Sequence, residues 1–467
     1  MHVTNWREPD NLTMLTDFYE LTMGNGYFLD RQQDTIAYFD LFFRKVPDGG
    51  GFAIVAGLEQ AIDYLQNLRF GEGDIEYLRR KGGFSAEFLQ YLREFKFTCD
   101  VWAIPEGTPV FPGEPLMVVR GPVIQAQLVE TMLLLILNHQ TLIATKANRI
   151  VRAAQGRAVM EFGSRRAQGA SGALYGARAA YIGGCSGSSN TMADRDFGVP
   201  ALGTMAHSWV QLFATELDAF KTYARHYPDN CVLLVDTYNT LKSGVPNAIT
   251  AFKEEVVARG FRPKGIRIDS GDIAYLSKEA RKMLDEAGFP DVKIVASNSL
   301  DEYLIRDLLL QGARVDQFGV GERLVTAKSD PVFGGVYKLV AVEQNGTLIP
   351  KIKVSENVEK ITIPGFKQVY RLFSPDTGKA LADLITLNDE PIPTAPYVIF
   401  DPNHTWKRKT LTRLEAKPLL VPIFAQGKCV YDSPSMSEIR AYAVAQVGTL
   451  WDEVLRFENP HSYYVDL

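Results

Sequence analysis

His207 lies in "GTMAHSW" (203–209) and is one of only six histidines in 467 residues. Gly203, Thr204, Ala206 and Ser208 around it are small, so the imidazole is open to approach from several sides. Such a ring serves as a nucleophile or base, or simply as a satisfied structural histidine. "RIDSGD" (267–272) gathers a cation, two carboxylates, a hydroxyl and a glycine at one strand end. Arg267 and Asp269 alternate with Ile266 and Ile268, which puts both polar side chains on one face of a strand. Buried there, they need each other or a ligand. "EFGSRRAQGASG" (161–172) sets Phe162 beside Arg165 and Arg166, an aromatic face plus a bidentate cation, suited to a flat anionic aromatic ligand.

Further donors follow. "GGCSGSSN" (183–190) offers hydroxyl and N–H groups to an anion, or is a flexible surface loop. "FGVGERL" (318–324) places Gly319 and Gly321 after a strand, where backbone N–H groups can approach a phosphate. Leu324 stands where the third glycine of a dinucleotide fingerprint would be, so a structural turn suits the stretch equally well. Asp236 begins "DTYNT" (236–240), and Tyr19 lies in "LTDFYELTMGNGYF" (15–28), whose spacing is helical. No P-loop, no metal-ligand spacing and no Gly-x-Ser-x-Gly turn is present.

These residues need elements to position them. From 158 onward, short apolar runs end in polar or glycine residues: Glu161, Asp236, Asp269, Ser297 with Asn298, and Gly319 with Gly321. Helical spacing at 246–259, 274–287 and 300–312 separates most of them, as in βαβ units with a parallel sheet. Functional residues gather at the C-terminal strand ends in barrels and open sheets alike. Several successive strands ending in a polar residue favour the barrel. The expected architecture is α/β: a TIM-like barrel, complete or not, over 126–335. A discontinuous α+β domain over 1–125 is completed by parts of 335–430, and a helical segment at 431–467 packs on the barrel.

The bulk numbers narrow the class. The chain is 46% hydrophobic and 22% charged with a formal net charge of −5, which disfavours nucleic acid as a partner. The run "MLLLILN" (132–138) is too short to span a bilayer, and "MHVTNWREPDNLTML" has no secretory core, so no membrane is expected. Cys99, Cys185, Cys231 and Cys429 form no CxxC pair, which suits a reduced, cytoplasmic setting.

Over nearly its whole length the chain resembles the nicotinate phosphoribosyltransferase family. The resemblance is carried by "LTDFYELTMGNGYF", "FDLFFRKVPDGGGFAIVAGLE", "EFGSRRAQG", "YIGGCSGSSN", "GTMAHSW", "RIDSGDIAYLSKEARKMLD", "ASNSLDEYLI", "FGVGERLVTAKSDPVFGGVYKLV" and "KITIPGFKQVYR". It implies that nicotinate attacks C1 of phosphoribosyl pyrophosphate, giving nicotinate mononucleotide and pyrophosphate, the entry of nicotinate into NAD synthesis. It implies ATP as co-substrate, with His207 phosphorylated, and Mg²⁺ held mainly by pyrophosphate, with no protein metal ligand assigned. Phe162 is expected under the pyridine ring, with Tyr19 from the partner subunit of a homodimer over its other face. Arg165 is expected near the ring or its carboxylate, and Ser188 near the carboxylate. Arg267, Ser270, Gly271, Gly319 and Gly321 are expected around the ribose and phosphates, and Asp236 and Asp269 beside C1. Nicotinamide-using and quinolinate-using relatives are the rivals within the chemistry. A nucleotide-binding protein without turnover is the rival outside it.

Overall fold

In a computed structural model, residues 11–354, 356, 361–401 and 404–467 are described. The first ten residues, read above for a secretory leader, lie outside this set, as does Lys360 of "KITIPGFKQVYR". The chain divides into two compact units, 143–331 and 1–142 with 332–467.

The unit 143–331 alternates short strands with helices. Among its elements are β1 (Ala158–Glu161), α1 (Gly169–Ile182), β2 (Gly187–Ser188), α2 (His207–Leu212), α3 (Glu216–His226), β3 (Val232–Leu234), β4 (Gly265–Ile268), α4 (Ile273–Glu286), β5 (Lys293–Ser297), α5 (Glu302–Leu310), β6 (Gln317–Val320) and α6 (Glu322–Val325). The strands form one sheet in the order β2-β1-β6-β5-β4-β3. Every ladder in it is parallel. Parallel strands are covered on both faces, which is why these read as apolar runs rather than alternating ones. Thus Ile266, Ile268, Ile294, Ala296, Phe318 and Val320 are all fully buried. The first strand pairs with the last, β1 with β6. No ladder joins β2 to β3 among the described residues, so the hydrogen-bonded sheet is not closed.

Parallel register aligns the C-terminal strand ends. Ser297 pairs with Gly319 and Val295 with Arg267. Residues following β1, β3, β4, β5 and β6 therefore emerge along one rim. The helix expected at 246–259 is an α-helix over Val245–Ala251, flanked by π-helical turns at Thr240–Gly244 and Phe252–Val256.

The other unit holds a seven-stranded antiparallel sheet in which Ile36–Phe43 pairs with Gly335–Gln344 on one side and Met117–Pro122 on the other. A second sheet pairs Lys367–Phe373 with Ala380–Leu387. Arg371 and Asp383 form a fully buried ion pair within it at 2.6 Å. Within the helical segment expected at 431–467, the helix spans Met436–Gly448 and ends at a glycine, the poorest ordinary helix former. It belongs to this unit, where the Tyr442 hydroxyl is 3.3 Å from that of Thr108. Among the described residues one helical stretch, Val123–Ala153, is long and apolar enough to cross a membrane, yet 67% of its most apolar window is buried, as in a core helix.

Asp40, on Ile36–Phe43, is buried against Lys367 at 2.9 Å. Burial pushes its carboxyl from 3.8 up to about 6, with Lys367 opposing the rise. Between those values the folded chain keeps a proton that the unfolded chain has released, so stability falls as pH rises through that window. Asp40→Asn should flatten that fall by about 1–3 kcal/mol. Urea unfolding from pH 4 to 6.5 checks it: equal slopes in the two proteins would show that Asp40 does not carry the effect.

Candidate functional site

His207 is the first residue of α2, preceded by the extended Ala206. Its side chain is 41% exposed, and Nε2 lies 3.2 Å from Oδ1 of Asp236, whose own side chain is 1% exposed. A carboxylate oxygen accepts, so in a neutral ring Nε2 donates to it and the lone pair lies on Nδ1. Nδ1 makes no hydrogen bond among the described residues. Asp236 lies two residues beyond β3. Its Oδ2 accepts from the Asp269 backbone N–H at 3.0 Å and the Ser270 hydroxyl at 2.6 Å. One carboxylate thus joins α2, the end of β3 and the loop after β4.

Arg267, on β4, is the second hub. Its Nε donates to the Ser297 hydroxyl at 2.8 Å and its Nη2 to Oδ1 of Asp269 at 2.8 Å. Nη1 donates to the Thr204 hydroxyl at 3.2 Å and the Met205 carbonyl at 3.4 Å. The Ser297 hydroxyl closes the ring by donating to Asp269 Oδ1. The guanidinium carbon lies 5.7 Å from the centre of the Phe162 ring, a cation–π distance. Asp269 Oδ2 makes no hydrogen bond among the described residues. The alternation of Arg267 and Asp269 indicated the pairing. Ser297 and Thr204 were missed as members, although Ser297 had been placed at its strand end.

Phe162 follows β1, with its backbone N–H on the Val320 carbonyl at 2.7 Å. Gly319 sits within β6, and a Cβ there would fall 2.6 Å from Cδ2 of Phe162. Glycine at 319 is therefore required to seat the aromatic ring. Gly321 follows β6 and precedes the short α6. Gly271 has φ +80°, a left-handed turn that suits glycine. It leads to Asp272, which caps α4 by accepting from the Tyr275 N–H at 3.0 Å.

Ser188 is placed differently from its expected role at the nicotinate carboxylate. It is fully buried, and its hydroxyl donates to Glu161 Oε2 at 2.6 Å. Burial raises the Glu161 carboxyl, with Ser188 and the Gly163 N–H opposing the rise. Asn190 is used to cap the following helix. Ser189 is the exposed hydroxyl of this turn. Arg165 is exposed on the 3₁₀ turn Ser164–Arg166 and has no hydrogen bond to the Arg267 cluster. Arg166, with Gln168, Glu322, Thr326, Lys328 and Pro331, lines an open cavity of about 380 Å³. Tyr19 belongs to the other unit, on the helix Phe18–Leu29, and is 45% exposed. No group of three or more His, Cys, Asp or Glu side chains converges as a metal site among the described residues.

The rim therefore combines an open imidazole nitrogen, an Arg–Asp–Ser network, an aromatic face and turns rich in N–H donors. Three stretches match the nicotinate phosphoribosyltransferase (NAPRTase) family: its N-terminal domain over residues 14–138, its family region over 157–362 and its C-terminal domain over 366–467. The chain is 46% identical over 461 residues to nicotinate phosphoribosyltransferase of Bacillus subtilis, covering 98% of this chain and 94% of that one. The human enzyme of that name is 33% identical, with 97% and 94% covered. The crystal structure of human nicotinic acid phosphoribosyltransferase superposes with a TM-score of 0.83 at 32% identity, covering 97% of each chain. Nicotinate-nucleotide pyrophosphorylase from Pyrococcus furiosus shares the fold, with a TM-score of 0.72 at 24% identity and coverage of 96% and 99%.

Proposed function

The chain belongs to the nicotinate phosphoribosyltransferase family and carries out that transfer; on that premise we propose that it couples the reaction to ATP through a phosphohistidine at His207. The observation that carries this reading is the His207–Asp236 pair at 3.2 Å, which leaves Nδ1 open on the rim. In the phosphorylation step the Nδ1 lone pair forms the P–N bond to the γ-phosphorus. The bond to ADP breaks, and ADP leaves with its electron pair. Asp236 offsets the positive charge the ring gains. Water later cleaves the P–N bond, releasing phosphate and restoring the imidazole.

In the transfer step the nicotinate ring nitrogen forms a bond to C1 of phosphoribosyl pyrophosphate as pyrophosphate leaves with the C1–O electron pair. Positive charge develops at C1, and Asp269 with its unengaged Oδ2 is placed to stabilise it, with Asp236 beside it. Phe162 carries the pyridine ring. The turn at 187–190 contains hydroxyl and amide groups but no carboxylate, which avoids repelling the nicotinate anion. Arg165 and the exposed Ser189 are the donors we assign to that anion, while Ser188 braces the turn from beneath. Gly271, Gly319 and Gly321 border the ribose phosphate, with Arg166 and Lys328 supplying positive charge nearby. Mg²⁺ is assigned to the polyphosphates of the two substrates. We further read the six cyclically ordered parallel strands as an incomplete barrel.

The active assembly on this reading is a cytoplasmic homodimer. Its four cysteines form no disulfide, and on this reading the 45% exposed Tyr19 covers the pyridine ring of a partner subunit. A fully active monomer in sedimentation would contradict the shared site. The phosphohistidine itself is tested by incubating the enzyme with γ-labelled ATP and Mg²⁺ and mapping the label. Acid-labile, base-stable label on His207 is expected, and label on any other residue sinks the proposal.

Gly319→Ala should push Phe162 off its seat, because the new methyl would lie 2.6 Å from the ring. The KM for nicotinate should rise about tenfold with a smaller change in kcat, through lost stacking area. An unchanged KM in steady-state kinetics would show that Phe162 does not carry the pyridine.

A further inference from the structure

Ser270 has a task other than the phosphate contact expected of it. Its hydroxyl donates to Oδ2 of Asp236 at 2.6 Å, and the neighbouring Asp269 N–H donates to the same oxygen at 3.0 Å. Asp236 is almost wholly buried, and its other oxygen holds His207. A carboxylate is planar, so two donors fixed on Oδ2 also fix the direction in which Oδ1 points. Both donors belong to the loop after β4, which turns at Gly271 and enters α4. We propose that Ser270 is a positioning residue for phosphoryl transfer, which through Asp236 holds the His207 ring with its proton on Nε2 and its lone pair on Nδ1. This rests on the phosphohistidine reading.

A consequence follows for coupling. A phosphate oxygen arriving at the 269–272 loop competes for the Ser270 hydroxyl and the Asp269 N–H. Asp236 is then released from one side, and the hold on His207 changes with it. Linkage makes the effect mutual: the state of His207 feeds back on the loop that meets the sugar phosphate. The phosphoryl step keeps the balance given above, and the Nε2 proton stays on the ring, held by Asp236.

The test uses the full-length enzyme and its Ser270→Ala and Ser270→Thr variants. Without ligand, ¹⁵N NMR of the histidine rings reads the tautomer of His207. With labelled ATP and Mg²⁺, the rate of acid-labile phosphate formation on His207 is measured. Ser270→Ala should lose the fixed Nε2–H tautomer and slow phosphorylation about tenfold, more than it slows ATP-free transfer. Ser270→Thr, which keeps the hydroxyl, should restore the rate to within about threefold. Ser270→Cys carries the comparison if the alanine variant does not fold. An unchanged tautomer and phosphorylation rate, with a raised KM for phosphoribosyl pyrophosphate, would make Ser270 a phosphate ligand and overturn the proposal. Should the parent enzyme form no phosphate on His207, the coupling reading fails, while the ring tautomer still decides the positioning role.

Discussion

His207→Ala is expected to lose ATP-stimulated turnover by about 10³-fold or more, while slow ATP-independent transfer of the phosphoribosyl group to nicotinate persists. The separation follows from the geometry. Among the described residues the His207 side chain hydrogen-bonds only Asp236, so its removal takes away the phosphoryl acceptor and leaves Arg267, Asp269 and Ser297 joined to one another. ADP release and nicotinate mononucleotide formation, measured side by side, check this. If His207→Ala kept ATP-dependent turnover at the parent rate, phosphorylation at this residue would be wrong. Loss of both activities together would place His207 in the transfer step itself.

Arg267→Lys should lower kcat/KM for phosphoribosyl pyrophosphate by about 10²–10³-fold, or about 3–4 kcal/mol. The guanidinium is planar and donates in three directions, to Ser297, Thr204 and Asp269, while lying over Phe162. A lysine supplies one compact charge and cannot hold those partners together. Asp269 would lose the guanidinium that fixes its orientation, and Phe162 the planar guanidinium beside it. Steady-state kinetics at saturating nicotinate measures the loss. A fall smaller than tenfold would mean that charge alone suffices and that the network is only structural.

The legible and illegible parts of this site differ in kind. Arg267 and Asp269 were readable because period-two alternation is local, and the structure joins them at 2.8 Å. The strand-end positions of Asp236 and Ser297 were readable from where apolar runs stop. The bond between His207 and Asp236 was not, because it links residues 29 apart through the sheet register. Ser188 looked available because serines in a glycine-rich loop usually meet water, yet the β1–β2 ladder pairs it with Glu161 and buries it. Gly319 suggested a phosphate turn, and its missing side chain has a second use that was not legible, making room for an aromatic ring. The other unit was readable as mixed α and β, and it holds strands such as Ile36–Phe43 together with the helix Met436–Gly448. The Arg371–Asp383 pair within it was not, since nothing local marks a charge that will be fully buried.

The central claim is tested most directly by product formation from phosphoribosyl pyrophosphate and Mg²⁺, offering nicotinate or nicotinamide, each with and without ATP. Strong preference for nicotinate, with ATP increasing both rate and extent, is the expected result. Preference for nicotinamide, or formation of nicotinate mononucleotide that ATP does not alter, would contradict the account.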